Sequence, residues 1–183
     1  MSSGHPHLLE SEAGKILCAC DACALLLSGR QGRHKRIPRR VERLTDFQMT
    51  DGEWDAMLIP IGMAFFFEKS RSKRIVALYP GPGGATESLL GLDAWQDLAS
   101  RNPRLATMEP DVEALLVNRL GASRGFPTPE YYILPIDECY RLVGLIRSQW
   151  HGFSGGTEVW ETLRLFFKNL QDRAAVPANH VYA

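Results

Sequence analysis

The chain has 183 residues, of which 45% are apolar and 23% charged, with 21 Lys+Arg against 21 Asp+Glu. That balance excludes a uniformly basic nucleic-acid coat, an acidic solvating tail and an intrinsically disordered chain. The length suits one compact domain, and the text divides into a Cys/His-rich knuckle at 1–27, a larger domain at 28–176 and a tail at 177–183.

No run is long enough to span a bilayer. The longest mostly apolar stretch, Ala56 to Phe67, has 12 residues and contains Pro60 and Gly62, whereas a spanning helix needs about 20. Met1 to Glu12 carries two His, a Pro and two Glu where a signal peptide would have a basic start and an apolar stretch. The expected compartment is therefore the cytoplasm, and there the four cysteines read as metal ligands, reactive thiols or core residues before disulfides.

Lys15 to Leu27, KILCACDACALLL, reads as two short apolar strands around a Cys20-Asp21-Ala22-Cys23 turn. From Arg30 to Arg43 there are six Arg and one Lys against Glu42, and Pro38 argues against a long helix there. Thr50-Asp51-Gly52-Glu53 fits a capping box and starts a short helix limited by Pro60. Met63 to Glu68 and Arg74 to Tyr79 are β-rich and joined by a polar turn, which predicts a hairpin. Pro80 to Gly84 is then a turn, followed by helix-compatible sequence from Thr86 to about Ser100 and a stop at Asn102-Pro103. Pro110 suits a first helical turn, with Val112, Leu115, Leu116 and Leu120 on one face. Tyr131 to Ile136 predicts a strand, and Asp137 a helix cap. Cys139, Leu142, Val143, Ile146 and Trp150 form the stripe of the helix that follows. Val159, Leu163, Phe166, Phe167 and Leu170 define a last amphipathic helix. The expected fold class is α+β: an antiparallel or mixed sheet including the hairpin near 63–79, several helices packed on it and the small Cys-rich knuckle. The four tryptophans read as core residues.

Soft ligands cluster at the N-terminus: His5-Pro6-His7, then Cys18, Cys20 and Cys23. A Cys-x-x-Cys turn brings two sulfurs to one ion, and a tetrahedral zinc site needs four sulfur or nitrogen donors. Cys20 and Cys23 are the natural pair, Cys18 shares the face of Cys20 in an extended strand, and His5 or His7 can complete the set. The alternatives are small apolar-like cysteines in a strand pair, or a redox dithiol, which lacks the strand-to-helix context expected of thioredoxin-like motifs. Cys139 reads as a core thiol.

Tyr79 to Ser88 resembles a phosphate loop in its glycines but has no Gly-Lys-Ser/Thr ending, no G-x-G-x-x-G and a carboxylate at Glu87, so a structural turn is favoured, with Thr86 as a cap. Gly152 to Glu158 is read in the same way, with Ser154 or Thr157 as the cap. No catalytic residues are assigned. Glu87, Asp137 and Arg147 are the candidates if the protein is an enzyme using the loop at 80–88, although Glu87 and Asp137 also serve as helix-start carboxylates. The basic run, with Arg33, Lys35, Arg36, Arg39 and Arg40 as contact candidates, has no aromatic stacking residue before Phe47, so an acidic protein partner or solvent is favoured over nucleic acid. It also polarises the charge: residues 1–50 carry +3, residues 51–113 carry −4 and the rest +1.

LCACDACALLL at 17–27, Ile59 to Phe67, YPGPGGATESLL at 79–90, PDVEALLVNR at 110–119, LPIDECYRLVGLIRSQW at 134–150 and GFSGGTEVW at 152–160 together resemble a bacterial family of unknown function. Its genes lie beside those of actinobacterial-type uptake nickel–iron hydrogenases. The resemblance implies an accessory or interaction protein of hydrogenase maturation or electron transfer, with a hydrogenase component as protein partner, zinc as the candidate cofactor and no assigned reaction. A homo-oligomeric scaffold with neither metal nor pocket is a third reading.

Overall fold

A computed structural model describes residues 5–28, 33–88, 92–152 and 155–175. Its nine strands are β1 (His7–Glu10), β2 (Lys15–Cys18), β3 (His34–Arg36), β4 (Glu42–Arg43), β5 (Met63–Lys69), β6 (Arg74–Gly81), β7 (Gly84–Ser88), β8 (Glu113–Asn118) and β9 (Glu130–Pro135). Its five α-helices are α1 (Asp21–Ser28), α2 (Asp51–Ala56), α3 (Leu92–Arg101), α4 (Ile136–Gln149) and α5 (Gly156–Arg173). The expected α+β class is observed. Six strands form a sheet in the order β4-β9-β8-β5-β6-β7, and β2-β1-β3 form a second, smaller one; every strand pairing is antiparallel.

Alternation along the central strands feeds two cores. Met63, Phe65 and Phe67 of β5, Ala114 and Leu116 of β8, and Tyr132 and Leu134 of β9 face one side, where Leu142, Ile146, Leu163 and Phe167 of α4 and α5 cover them. Ala64, Phe66, Leu115, Val117 and Ile133 face the other, beneath Trp54 of α2 and Trp95 and Leu98 of α3. Burying each such Leu, Phe or Val side chain contributes about 1.5–3 kcal/mol relative to leaving it exposed. The predicted stripes of α4 and α5 point inward, apart from Trp150, which is half-buried at the margin.

The hairpin of β5 and β6 is in place, with Phe65 opposite Leu78 and Lys69 opposite Arg74. The capping box of α2 is complete: the Thr50 side chain accepts from the Glu53 amide, and Glu53 accepts from the Thr50 amide. Helix α3 ends at Arg101, one residue before the predicted Asn102-Pro103 stop.

Four expectations fail locally. Cys20 to Leu27 is not a second strand: Asp21 opens helix α1, whose only buried residue is Ala24. Residues 84–88 form β7, which hairpins back on β6 so that Thr86 lies opposite Tyr79, and Thr86 caps nothing. The α5 N-cap position is Gly155 with φ of 87°, so Thr157 is not the cap; Ser154 lies outside the described residues.

Pro110 starts no helix. Asp111 instead takes a left-handed φ of 72° and ties three segments together. Its amide donates to the Glu68 carbonyl at 2.8 Å, its Oδ1 accepts from the Ser70 amide at 2.8 Å and its Oδ2 accepts from Lys35 Nζ at 2.7 Å. Burial pushes the Asp111 carboxyl up, but the hydrogen bonds from Lys35 and Ser70 outweigh it and hold the group below its ordinary value.

The chain enters β5 through Gly62, whose carbonyl accepts from the Arg119 amide at 2.6 Å. A Cβ at Gly62 would lie 2.6 Å from the Arg119 carbonyl oxygen, a backbone atom with nowhere to go. Gly62→Ala is therefore expected to destabilise the protein by about 1–3 kcal/mol. Gly52→Ala, in α2 with nothing near its Cβ, is expected to be neutral or to stabilise by up to about 1 kcal/mol. Paired urea unfolding curves check both.

Candidate metal centre in the N-terminal sheet

Strand β1 separates its side chains between two environments. Leu8 is fully buried with Ala19 and Ala24 in a small core beneath α1, while Leu9 reaches the main core on the α4 and α5 side. His7, two residues before Leu9, shares its face. Register carries this across to β2: Leu9 lies opposite Ile16, which also packs against the main core, and His7 lies opposite Cys18. Alternation alone therefore directs His7 and Cys18 to one surface, at the N-terminal end of α4.

The first turn of α4 presents Asp137 there. His7 Nδ1 and Asp137 Oδ2 are 2.5 Å apart, joining residues 130 positions apart in the chain. A carboxylate accepts here, so Nδ1 carries a proton in this contact, and in the neutral ring the lone pair is then on Nε2. That Nε2 faces His5 Nε2 at 3.1 Å. The ligand atoms of His5, His7 and Cys18 all lie within 4.8 Å of one another, the two histidines half-buried and the cysteine exposed. Among the described residues no other group of three His, Cys, Asp or Glu side chains has this spacing.

Five metal ligands were predicted, and the structure brings three together. Cys20 and Cys23 form a separate pair at the start of α1: the Cys23 amide donates to Cys20 Sγ at 3.4 Å. That bond, reinforced by the Cys23 thiol, holds the Cys20 thiol below its ordinary value; the same thiol contact raises Cys23. The strand-to-helix context missing from the sequence reading is thus present, because β2 leads through Cys20 into α1. Cys139 is a core thiol, fully buried, and burial pushes its titration well up.

Glu87, Asp137 and Arg147 do not form one site. Glu87 on β7 pairs with Arg74 at 2.8 Å, Asp137 holds His7, and Arg147 is exposed on α4. Asp137 is no simple cap either: its Oδ1 accepts from the neighbouring Glu138 amide while the other oxygen serves His7. The glycine loop is the Pro82-Gly83 turn between β6 and β7, and α3 begins only at Leu92.

Much of the basic run is bound to the fold. Arg40 makes a two-point contact with Glu113 at 2.9 and 3.0 Å, Lys35 holds Asp111, and Arg33 reaches Glu10 at 3.3 Å. Arg36 is exposed, and Arg39 also has an interaction within the chain. Buried Glu42 is held by Arg104 at 2.5 and 2.8 Å, a residue to which no sequence signal pointed. Buried Glu130 collects Asn118, Tyr132 and Gln171. Among the described residues every buried side-chain nitrogen and oxygen has a hydrogen-bond partner.

The chain belongs to the family described as "Family of unknown function (DUF5947)", which matches residues 1–174. No curated protein and no solved structure matches it. No helix among the described residues is long and apolar enough to cross a membrane.

Two outcomes follow. Arg40→Ala leaves the buried Glu113 carboxylate with the Glu109 amide but without its charge partner and is expected to cost about 1–3 kcal/mol, against at most about 0.5 kcal/mol for Arg36→Ala, read by denaturant unfolding. In chelator-treated native protein, three thiols are expected to react rapidly with a disulfide reagent, and the fourth, Cys139, only after unfolding.

Proposed function

We propose that this protein is a metal-binding accessory protein, not an enzyme, whose N-terminal sheet holds one zinc ion through His5 Nε2, His7 Nε2 and Cys18 Sγ, with Asp137 as the positioning residue behind His7. The observation that carries the reading is the convergence of two imidazole nitrogens at 3.1 Å with a carboxylate on the far nitrogen of one ring. Two nitrogens on a tetrahedral zinc, each about 2.0–2.1 Å from the ion, lie about 3.3 Å apart. A carboxylate on the outer nitrogen fixes the tautomer that ligation requires and raises the basicity of the ring. Three protein donors leave the fourth position to water or to a group from a partner.

The partner in this reading is a nickel–iron hydrogenase component in the cytoplasm, on the strength of the sequence resemblance. Its contact surface includes the exposed Arg36, at the end of β3 in the same sheet. Affinity purification from a host expressing the hydrogenase tests that step, and recovery of no hydrogenase component removes it.

Zinc binding is tested on the purified chain. One zinc per chain is expected by equilibrium dialysis, with binding abolished in His7→Ala and weakened about 10–100-fold in Asp137→Asn. Cobalt substituted into the site is expected to show a sulfur charge-transfer band that Cys18→Ser removes. Equal zinc affinity in His7→Ala and the unmodified protein overturns the reading.

A further inference from the structure

The proposed zinc site leaves the Cys20 and Cys23 sulfurs unused. Both residues are exposed. Cys20 immediately precedes α1 and Cys23 lies in its first turn, so the helical path brings positions i and i+3 to the same face. The Cys23 amide already donates to Cys20 Sγ at 3.4 Å. The backbone around them is fixed on both sides. The Ala19 amide donates to the Pro6 carbonyl at 3.0 Å and the Ala24 amide to the Cys20 carbonyl at 2.8 Å, while the Ala19 and Ala24 side chains are buried with Leu8. The turn is thus anchored from below with both sulfurs turned to solvent. A disulfide requires its two Cβ atoms about 3.5–4.5 Å apart, and with Cys20 just outside the helix and its Sγ already at 3.4 Å from the Cys23 amide the pair is close enough for a small adjustment to join them.

We propose that Cys20 and Cys23 are a redox-active dithiol that exchanges with a small-molecule disulfide of the glutathione class, separately from the metal-binding residues. The Cys20 sulfur, the acceptor of the pair, attacks one sulfur of the incoming disulfide. A mixed disulfide forms and one external thiol leaves. The Cys23 sulfur then attacks Cys20 Sγ, closing the Cys20–Cys23 bond and releasing the second external thiol. Two electrons pass from the two cysteines to the external disulfide, and the two thiol protons leave on the released thiols. The inference uses the zinc reading only to assign Cys18 elsewhere.

The test incubates the full chain, zinc-loaded and chelator-treated in parallel, with glutathione disulfide. Remaining thiols are then blocked with N-ethylmaleimide, and the tryptic peptide Ile16 to Arg30 is fragmented in a mass spectrometer, with zinc measured on the same samples. The expected result is a Cys20–Cys23 bond with two alkyl adducts lost from the peptide, reversed by dithiothreitol and formed with zinc retained. Cys23→Ser is expected to stop at a Cys20–glutathione mixed disulfide, and Cys18→Ser to form the bond as the unmodified chain does. A bond involving Cys18, full alkylation of Cys20 and Cys23 after oxidation, or zinc released in step with the bond overturns the inference. A Cys20–Cys23 bond in a chain that never binds zinc sustains it and removes only the zinc reading.

Discussion

The structure depends on a sheet that must be covered on both faces. β8 and β9 are buried at every position, so helices have to close over both sides: α4 and α5 on one, α2 and α3 on the other. Antiparallel sheets commonly leave one face to water; here each face carries its own aromatic and aliphatic layer. The start of α4 is consequently fixed against the sheet, with Ile136 buried and its amide bonded to the Val112 carbonyl at 2.9 Å. Asp137 inherits that fixed position.

The same constraint organises the N-terminal sheet, which among the described residues has Leu8, Ala19 and Ala24 as a small core of its own. It borrows the main core through Leu9, Ile16 and Ile37. His5, His7 and Cys18 therefore sit at the joint between two sheets, with β1 and β2 on one side and α4 on the other. The dithiol occupies the opposite situation, on a surface helix that the main core does not reach. The His5–His7–Cys18 group and the exposed Cys20–Cys23 pair are thus separated in the chain by a single residue, Ala19.

How much of this was legible in the sequence follows the same division. Helices α4 and α5 each bury one stripe, and a stripe of period 3.6 is readable. β8 buries both faces, so it is apolar without a break from Ala114 to Val117, and Val112, Leu115, Leu116 and Leu120 match a helical face by accident. The hairpin of β5 and β6 announced itself through its polar turn. At Cys20 to Leu27 the reading weighted the Cys-x-x-Cys turn over the helix-forming Ala and Leu run that follows Asp21. The candidate ligands were visible as residue types, but their sorting was not. That His5, His7 and Cys18 converge while Cys20 and Cys23 stand apart follows from strand register, and Asp137 joins them across 130 positions of chain. The basic run illustrates the converse: its charge was plain, yet the carboxylates that absorb it, buried Glu113 and half-buried Asp111, are remote in sequence.

The ends of the six-stranded sheet carry a consequence for self-association. At one edge β4 is two residues long, and Ala175 closes beside it, its amide donating to Val41 and its carbonyl accepting from Arg43. At the other, β7 runs for five residues from a glycine with φ of 120° and sets a Glu87–Arg74 ion pair beside the outermost strand. Short, charged and bent edges are poor templates for another strand. At these two edges a second copy of this chain would find only a short or charged ladder to extend, so association through the six-stranded sheet is disfavoured relative to contacts made by side chains and helix surfaces.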